Sequence, residues 1–114
     1  MKFENFEDII IWQKAKKLTL IIYNQFADSK DFGFKDQIQR ASVPIMNNIA
    51  EGYERKSNSD FKHFLFIAKG SCGEVRSILY LALELNKINN ETFLELLDLA
   101  KEISKMISGL IKVL

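Results

Sequence analysis

Apolar residues recur along this chain at steps of three and four, the spacing that lines one side of a helix. No stretch alternates apolar and polar residues over the length of a half-buried strand. In the first segment Ile11, Trp12, Ala15, Leu18, Ile22 and Phe26 share a stripe with Lys14, Lys16 and Lys17 opposite, which predicts a helix from about Glu7 to Ala27. The small polar cluster from Asp28 to Gly33 reads as a turn. A second stripe, Ile38, Ala41, Ile45, Asn48, Ile49 and Gly52, predicts a helix from Phe34 to Arg55. Pro44 lies inside it, where a proline removes a backbone donor and crowds the carbonyl of Arg40, so a kink or a break is expected just before it.

Ser57 followed by Asp60 resembles a capping box and announces a third helix. Its stripe of Phe61, Phe64, Leu65, Ala68, Cys72, Val75, Leu79 and Ala82 ends near Asn86. From Ile78 to Leu85 this helix is apolar nearly all round, and such a segment must be covered on more than one side. Ile78, Tyr80, Leu81 and Leu85 are therefore the expected oligomer interface, with a fully central helix in a compact monomer as the alternative. Asn89 or Asn90 caps a fourth helix, in which Phe93, Leu96, Leu97, Ala100, Ile103, Ile107, Leu110, Ile111 and Leu114 follow an a/d-like pattern. On its other side Glu91, Glu95 and Asp98 come before Lys101, Lys105 and Lys112, the order that complements a helix dipole. Short connections between long helices make neighbours antiparallel. The reading is all-α: one domain, residues 1–114, folded as an antiparallel up-down-up-down four-helix bundle.

Composition leaves that picture in place and narrows the partners. With 114 residues, 47% hydrophobic and 27% charged, the chain has enough apolar material for one core and is far from the signature of disorder. A formal charge of +1 gives no global attraction to a polyanion or an anionic membrane, so any nucleic-acid surface must be local. No apolar run approaches the ~20 residues that cross a bilayer, and no membrane partner is expected. The single cysteine, Cys72, excludes an intrachain disulfide and fits a reducing, cytoplasmic location.

Catalytic chemistry finds little support. A di-iron bundle needs Glu-x-x-His pairs, and the one histidine, His63, has no Glu three residues before it. His63 reads better as a surface residue. Cys72 lies on the apolar stripe without a spaced His, Asn or Asp, as a small buried hydrophobe would. Gly70 and Gly73 fall inside a helix, where close helix approach explains them better than a phosphate cradle. No catalytic residue, cofactor or metal ligand is expected. Two polar groupings remain. Arg40, Asn48 and Glu51 on the second helix, with Ser71 and Glu74 on the third, are expected to form a buried or interfacial structural hydrogen-bond network, with a functional site as the alternative. Lys14, Lys17, Arg55, Lys56, Lys62 and Lys69 are the candidate phosphate contacts, since a modest local excess is repeated in every subunit of an oligomer.

Gln37, Arg40 and Ala41, then N-N-I-A-E-G from Asn47 to Gly52, Arg55, Asp60, Phe61, F-L-x-I-A-x-G-S from Phe64 to Ser71 and Glu74 together resemble the 23S rRNA-intervening-sequence, or S23-type, proteins. Trp12 and Ala15 in W-Q-K-A match the first helix of that family. Many relatives read S-I-P-S-N-I-A-E-G where this chain has P-I-M-N-N-I-A-E-G, so Pro44 stands two residues earlier and the bend of the second helix differs. The resemblance implies a four-helix bundle that forms homo-pentameric rings and has no established enzymatic activity. It also implies likeness to the pentameric, nucleic-acid-binding accessory protein of diversity-generating retroelements. Two functions follow as expectations: a homo-oligomeric bundle binding RNA or DNA as a ribosome-related scaffold, or an interaction bundle whose partner is another protein.

Overall fold

The structure, a computed structural model, describes residues 3–114. A 3-10 turn, Phe6–Asp8, precedes four helices: α1 (Ile10–Gln25), α2 (Phe32–Glu54), α3 (Asn58–Glu84) and α4 (Asn90–Val113). The described residues contain no strand.

Local chemistry starts and stops these helices. The first amide groups of a helix have no partner within it, and a side-chain oxygen at the cap supplies one. Asp31 accepts from the Phe34 amide at 3.1 Å, Ser57 from the Asp60 amide at 3.1 Å and Asn89 from the Thr92 amide at 2.7 Å. At the far end of α3 the backbone turns left-handed at Asn86, with φ of 58°. There the Lys87 amide reaches the Ala82 carbonyl at 2.8 Å, and the Asn86 amide reaches that of Leu83 at 3.0 Å. This pair of hydrogen bonds is a Schellman closure, and asparagine tolerates its left-handed position better than most residues. Lys56, with φ of 62°, makes the same kind of turn between α2 and α3 without that tolerance.

Several helix ends differ from expectation by one to three residues. The first helix starts at Ile10 instead of Glu7, because Ile9 adopts an extended conformation and turns its side chain into the core. Of the kink or break expected just before Pro44, the break does not occur; α2 is continuous through it. Ala41, Ser42 and Ile45 on either side are buried, and that packing outweighs the one backbone bond proline removes. The side-chain amide of Asn48 also donates to the Pro44 carbonyl at 2.8 Å.

The helices pack in a ring: α1 on α2, α2 on α3, α3 on α4 and α4 back on α1, and among the described residues no diagonal pair of backbones comes as close. Neighbours run in opposite directions. The rings of Phe26 and Phe34 meet beside the first connection, while Thr19 donates to the Ser42 carbonyl deeper in the bundle. In the same way Tyr80 meets Phe93 near the last connection, and Cys72 donates to the Ala100 carbonyl further along. The body measures 42 × 21 × 20 Å around a spine of fully buried side chains that includes Leu18, Ile38, Ile49, Leu65, Leu79, Leu96 and Ile107. Burying each such Leu or Ile stabilises the fold by about 1.5–3 kcal/mol.

The tightest approach lies between α2 and α3. A Cβ placed on Gly52 would stand 2.7 Å from the Cβ of Phe64 and 3.1 Å from the Phe61 ring. Only glycine fits there. Gly70 and Gly73 are expected to allow a close helix approach, yet a Cβ added to either would meet nothing within 4 Å. They face open space on a side of α3 that no other helix of the chain covers.

Candidate nucleic-acid interface

Along α4, Lys101, Lys105, Ser108 and Lys112 follow one another at steps of four, three and four, a spacing that stacks them on one flank of the helix. Lys69 and Arg76 stand seven residues apart on α3, which likewise keeps them on one side. Antiparallel packing of α3 on α4 brings the two rows together across an open groove of about 680 Å³. Its walls are Lys69, Arg76, Lys101, Ser104, Lys105, Ser108, Gly109 and Lys112. From Lys101 to Lys112 the basic row covers about 16 Å of helix axis.

Five cations line this groove, no carboxylate does, and among the described residues none of the five takes part in an ion pair. The Nε of Arg76 is buried with no hydrogen-bond partner. A buried donor left unpaired costs about 1–3 kcal/mol, more when it is charged, so nearly all such groups in folded proteins are satisfied. The Arg76 charge also acts on Cys72, one turn earlier. Burial pushes that thiol up to about 11, with Arg76 and a backbone hydrogen bond from the Ser104 region opposing it. Cys72 is therefore a protonated, buried thiol donating to the Ala100 carbonyl at 3.0 Å.

Of the six expected phosphate contacts only Lys69 belongs to the groove. Lys14 is held by Glu102 at 2.9 Å, and Arg55 by Glu51 at 3.1 Å while its guanidinium lies over the Phe64 ring. Lys56 lies over the ring of Tyr53 at 4.5 Å. Lys17 lies on the α1 surface beside Trp12 and Leu20, and Lys62 is half-buried on α3. These residues do not form one surface. Arg76, Lys101, Lys105 and Lys112 were not part of the expected set, although the regular spacing on α4 was a signal for them.

Among the described residues no hydrogen bond of the expected network joins α2 to α3 within the chain. Arg40 pairs with Asp36 at 2.9 Å, Glu51 with Arg55, and Asn48 with the Pro44 carbonyl, each one turn away on its own helix. Glu74 is exposed to water and Ser71 is half-buried, and among the described residues no hydrogen bond joins either to α2. A partner one helical turn away costs less ordering than one on another helix, and water satisfies the rest. The expected oligomer interface also divides. Ile78 is only 6% exposed and belongs to the bundle's own core, whereas Tyr80, Leu81 and Leu85 are 50%, 48% and 52% exposed. Phe66 and Ile67 extend this apolar surface toward the start of α3.

His63 is exposed, with its ring edge-on to Phe64. Among the described residues no group of three or more His, Cys, Asp or Glu could hold a metal ion, and no helix is long and apolar enough to cross a membrane.

A solved structure from Bacteroides thetaiotaomicron, a protein of unknown function from the S23 ribosomal protein family, superimposes on this chain with a TM-score of 0.84. The two are 26% identical, and the match covers 90% of this chain and 98% of the other. No curated protein matches the sequence. The model of the 23S rRNA-intervening sequence proteins matches residues 7–109, which takes in all four helices and both walls of the groove. The chain belongs to the 23S rRNA-intervening sequence protein family.

Proposed function

We propose that this protein is a non-enzymatic helical scaffold, cytoplasmic and self-assembling, that binds the phosphate backbone of structured RNA along the groove between α3 and α4. The observation that carries this reading is the row of five unpaired cations with no carboxylate among them. Lys14, Arg40, Arg55 and Lys87 each have a carboxylate partner, and among the described residues these five do not. Cations set along a groove release counterions from a polyanion and bind it without reading its bases. The name of the family, which refers to ribosomal RNA, agrees with that partner class. The uncovered apolar side of α3, with Phe66, Leu81 and Leu85, supports assembly with further copies, and the pentamer of the family resemblance is the stoichiometry proposed. A surface of this kind also suits another protein as partner, which is the second reading.

Fluorescence anisotropy with a labelled RNA hairpin, together with light scattering, tests both parts. Binding should weaken steeply with added salt and should be lost in a Lys69→Glu, Lys105→Glu variant while surviving in Lys30→Glu, remote from the groove. Light scattering should return a multiple of the 13.2 kDa chain, reduced to one copy by Leu81→Lys. An absence of RNA binding at low salt, or equal binding by the groove and control variants, would remove the nucleic-acid reading. A monomeric wild type would remove assembly.

A further inference from the structure

Opposite its core side, α3 presents one stripe to solvent: Ile67, Gly70, Glu74, Ser77, Leu81 and Leu85, spaced by steps of three and four and all exposed. Its ends are apolar, its middle is small or polar, and Glu74 is the only charge in it. On the diagonally opposite helix, Trp12, Lys16, Leu20 and Tyr23 make a second stripe along the outside of α1. Leu20 and Tyr23 are exposed there, and Trp12, Lys16 and Leu20, with Gln13 and Lys17, wall a shallow groove of about 280 Å³. The two stripes stand at the same height of the body. Thr19 meets Ser42 and Phe26 meets Phe34 across α1 and α2, and Gly52 lies against Phe61 and Phe64 across α2 and α3. Carried through α2, these contacts set Trp12 about level with Ile67, Lys16 with Gly70, Leu20 with Glu74 and Tyr23 with Ser77. Among the described residues neither Lys16 nor Glu74 takes part in an ion pair. Helical side chains lean toward the N-terminus, which carries the Glu74 carboxylate toward the level of Gly70, and Gly70 leaves open space there.

We infer that the α3 stripe of one copy seats on the α1 stripe of the next, side by side and in register, with Glu74 paired to Lys16 of the neighbouring copy. The inference rests on the self-assembly reading and names the two surfaces that carry it. Charge decides against the simpler pairing of α3 with itself. A two-fold contact centred on this stripe would bring two Glu74 carboxylates together near its axis with no cation on the stripe between them, and like charges so placed oppose association. The α1 stripe offers the missing cation. Its apolar Trp12 comes level with Ile67, and the small residues in the middle of the α3 stripe make room for the larger ones of α1. Because the two faces are different and lie on different sides of the bundle, each copy can use both at once, and the contact is head-to-tail. Such a contact closes into a ring when the rotation between neighbours divides the full turn.

Mixing separates this arrangement from one in which α3 alone carries the contact. Leu20→Glu disables the α1 stripe and Leu81→Lys the α3 stripe, both at exposed positions. In sedimentation velocity each variant should run as a single copy. An equimolar mixture should form a one-to-one pair and nothing larger, since only one contact between the two variants is intact. Charge reversal gives a second readout that leaves the apolar residues in place. Lys16→Glu and Glu74→Lys should each raise the concentration for half-assembly roughly tenfold or more, and the double variant should restore it. A mixture that pairs, or a double variant that recovers, upholds the pairing of faces. If Leu20→Glu assembles as wild type does, or if the mixture stays monomeric and the double variant is as weak as the singles, that pairing is overturned while self-assembly through another surface stands. If wild type is itself a single copy at every concentration, both are overturned.

Discussion

The two seams on either side of α3 are built on opposite terms. Toward α2 the helix is pressed so close that Gly52 has no room for a methyl group, and Arg55 is held by both Glu51 and the Phe64 ring. Toward α4 the outer edge of the seam opens into a groove whose cations have no partner in the chain. The motif that identifies the family, N-N-I-A-E-G, lies on the closed seam and is explained there by packing and local pairing. The open seam carries no motif, yet it is the one with unsatisfied chemistry. Residues that mark the family and residues proposed to meet a ligand thus flank α3 on different sides.

Substitutions at each seam test that contrast. The largest effect belongs to the closed one: Gly52→Ala forces a contact that Phe64 cannot relieve through a flexible end. Overpacking costs about 1–3 kcal/mol, and the helix propensity of alanine returns part of it. Chemical denaturation should show a net loss of about 1–2 kcal/mol, and a variant as stable as wild type would mean that the seam is looser than described. At the open seam, Lys101→Glu with Lys105→Glu should leave stability within about 0.5 kcal/mol of wild type yet weaken RNA binding by roughly tenfold or more. Anisotropy and a thermal melt on the same sample separate the two.

Smaller effects sharpen the contrast. Ser57→Ala removes the cap at the start of α3 and should cost about 1 kcal/mol without touching RNA affinity, as read by denaturation and anisotropy together. In the Leu81→Lys background that keeps the chain single, Gly70→Ala should instead gain up to about 1 kcal/mol, because within one chain nothing lies within 4 Å of the added methyl group and alanine favours the helix. The smallest effect concerns Lys87, a lysine that does have a partner. Its hydrogen bond to Asp31, with that of the Phe34 amide, holds the Asp31 carboxyl below its ordinary value. A carboxyl lowered in the folded state stabilises the fold above its unfolded value near 4 and loses that contribution as pH falls through the folded one. Asp31→Asn keeps the cap but should flatten the pH dependence of melting below about pH 4. A profile identical to wild type there would show that the pair contributes nothing.

Much of the fold was legible because it is written locally. The helix stripes are periodic, and Ser57 and Asn89 act on amides three residues away, so spacing alone finds them. Pro44 pointed to a kink or a break, and the helix does not break there because the local cost is smaller than the burial of Ala41, Ser42 and Ile45 around it. The site was legible only in pieces. Lys101, Lys105 and Lys112 each had a sufficient explanation as the solvated, dipole-matched end of α4, and Arg76 as one charge among several on α3. Their meaning arises from the pairing of the two helices, which no window of sequence contains. Gly70 and Gly73 failed in the same way: a small residue in a helix signals close approach only once it is known which side the neighbour takes.

The open groove also bears on how the protein folds. Like charges set along one groove repel one another, so the empty bundle docks its last helix against some self-repulsion. Any anion that settles there binds the folded form and not the unfolded one, and thereby raises the melting point by mass action. Sulfate or phosphate in the buffer should therefore act as a thermal stabiliser well beyond the effect of chloride at equal ionic strength, and the docking of α4 should tighten most.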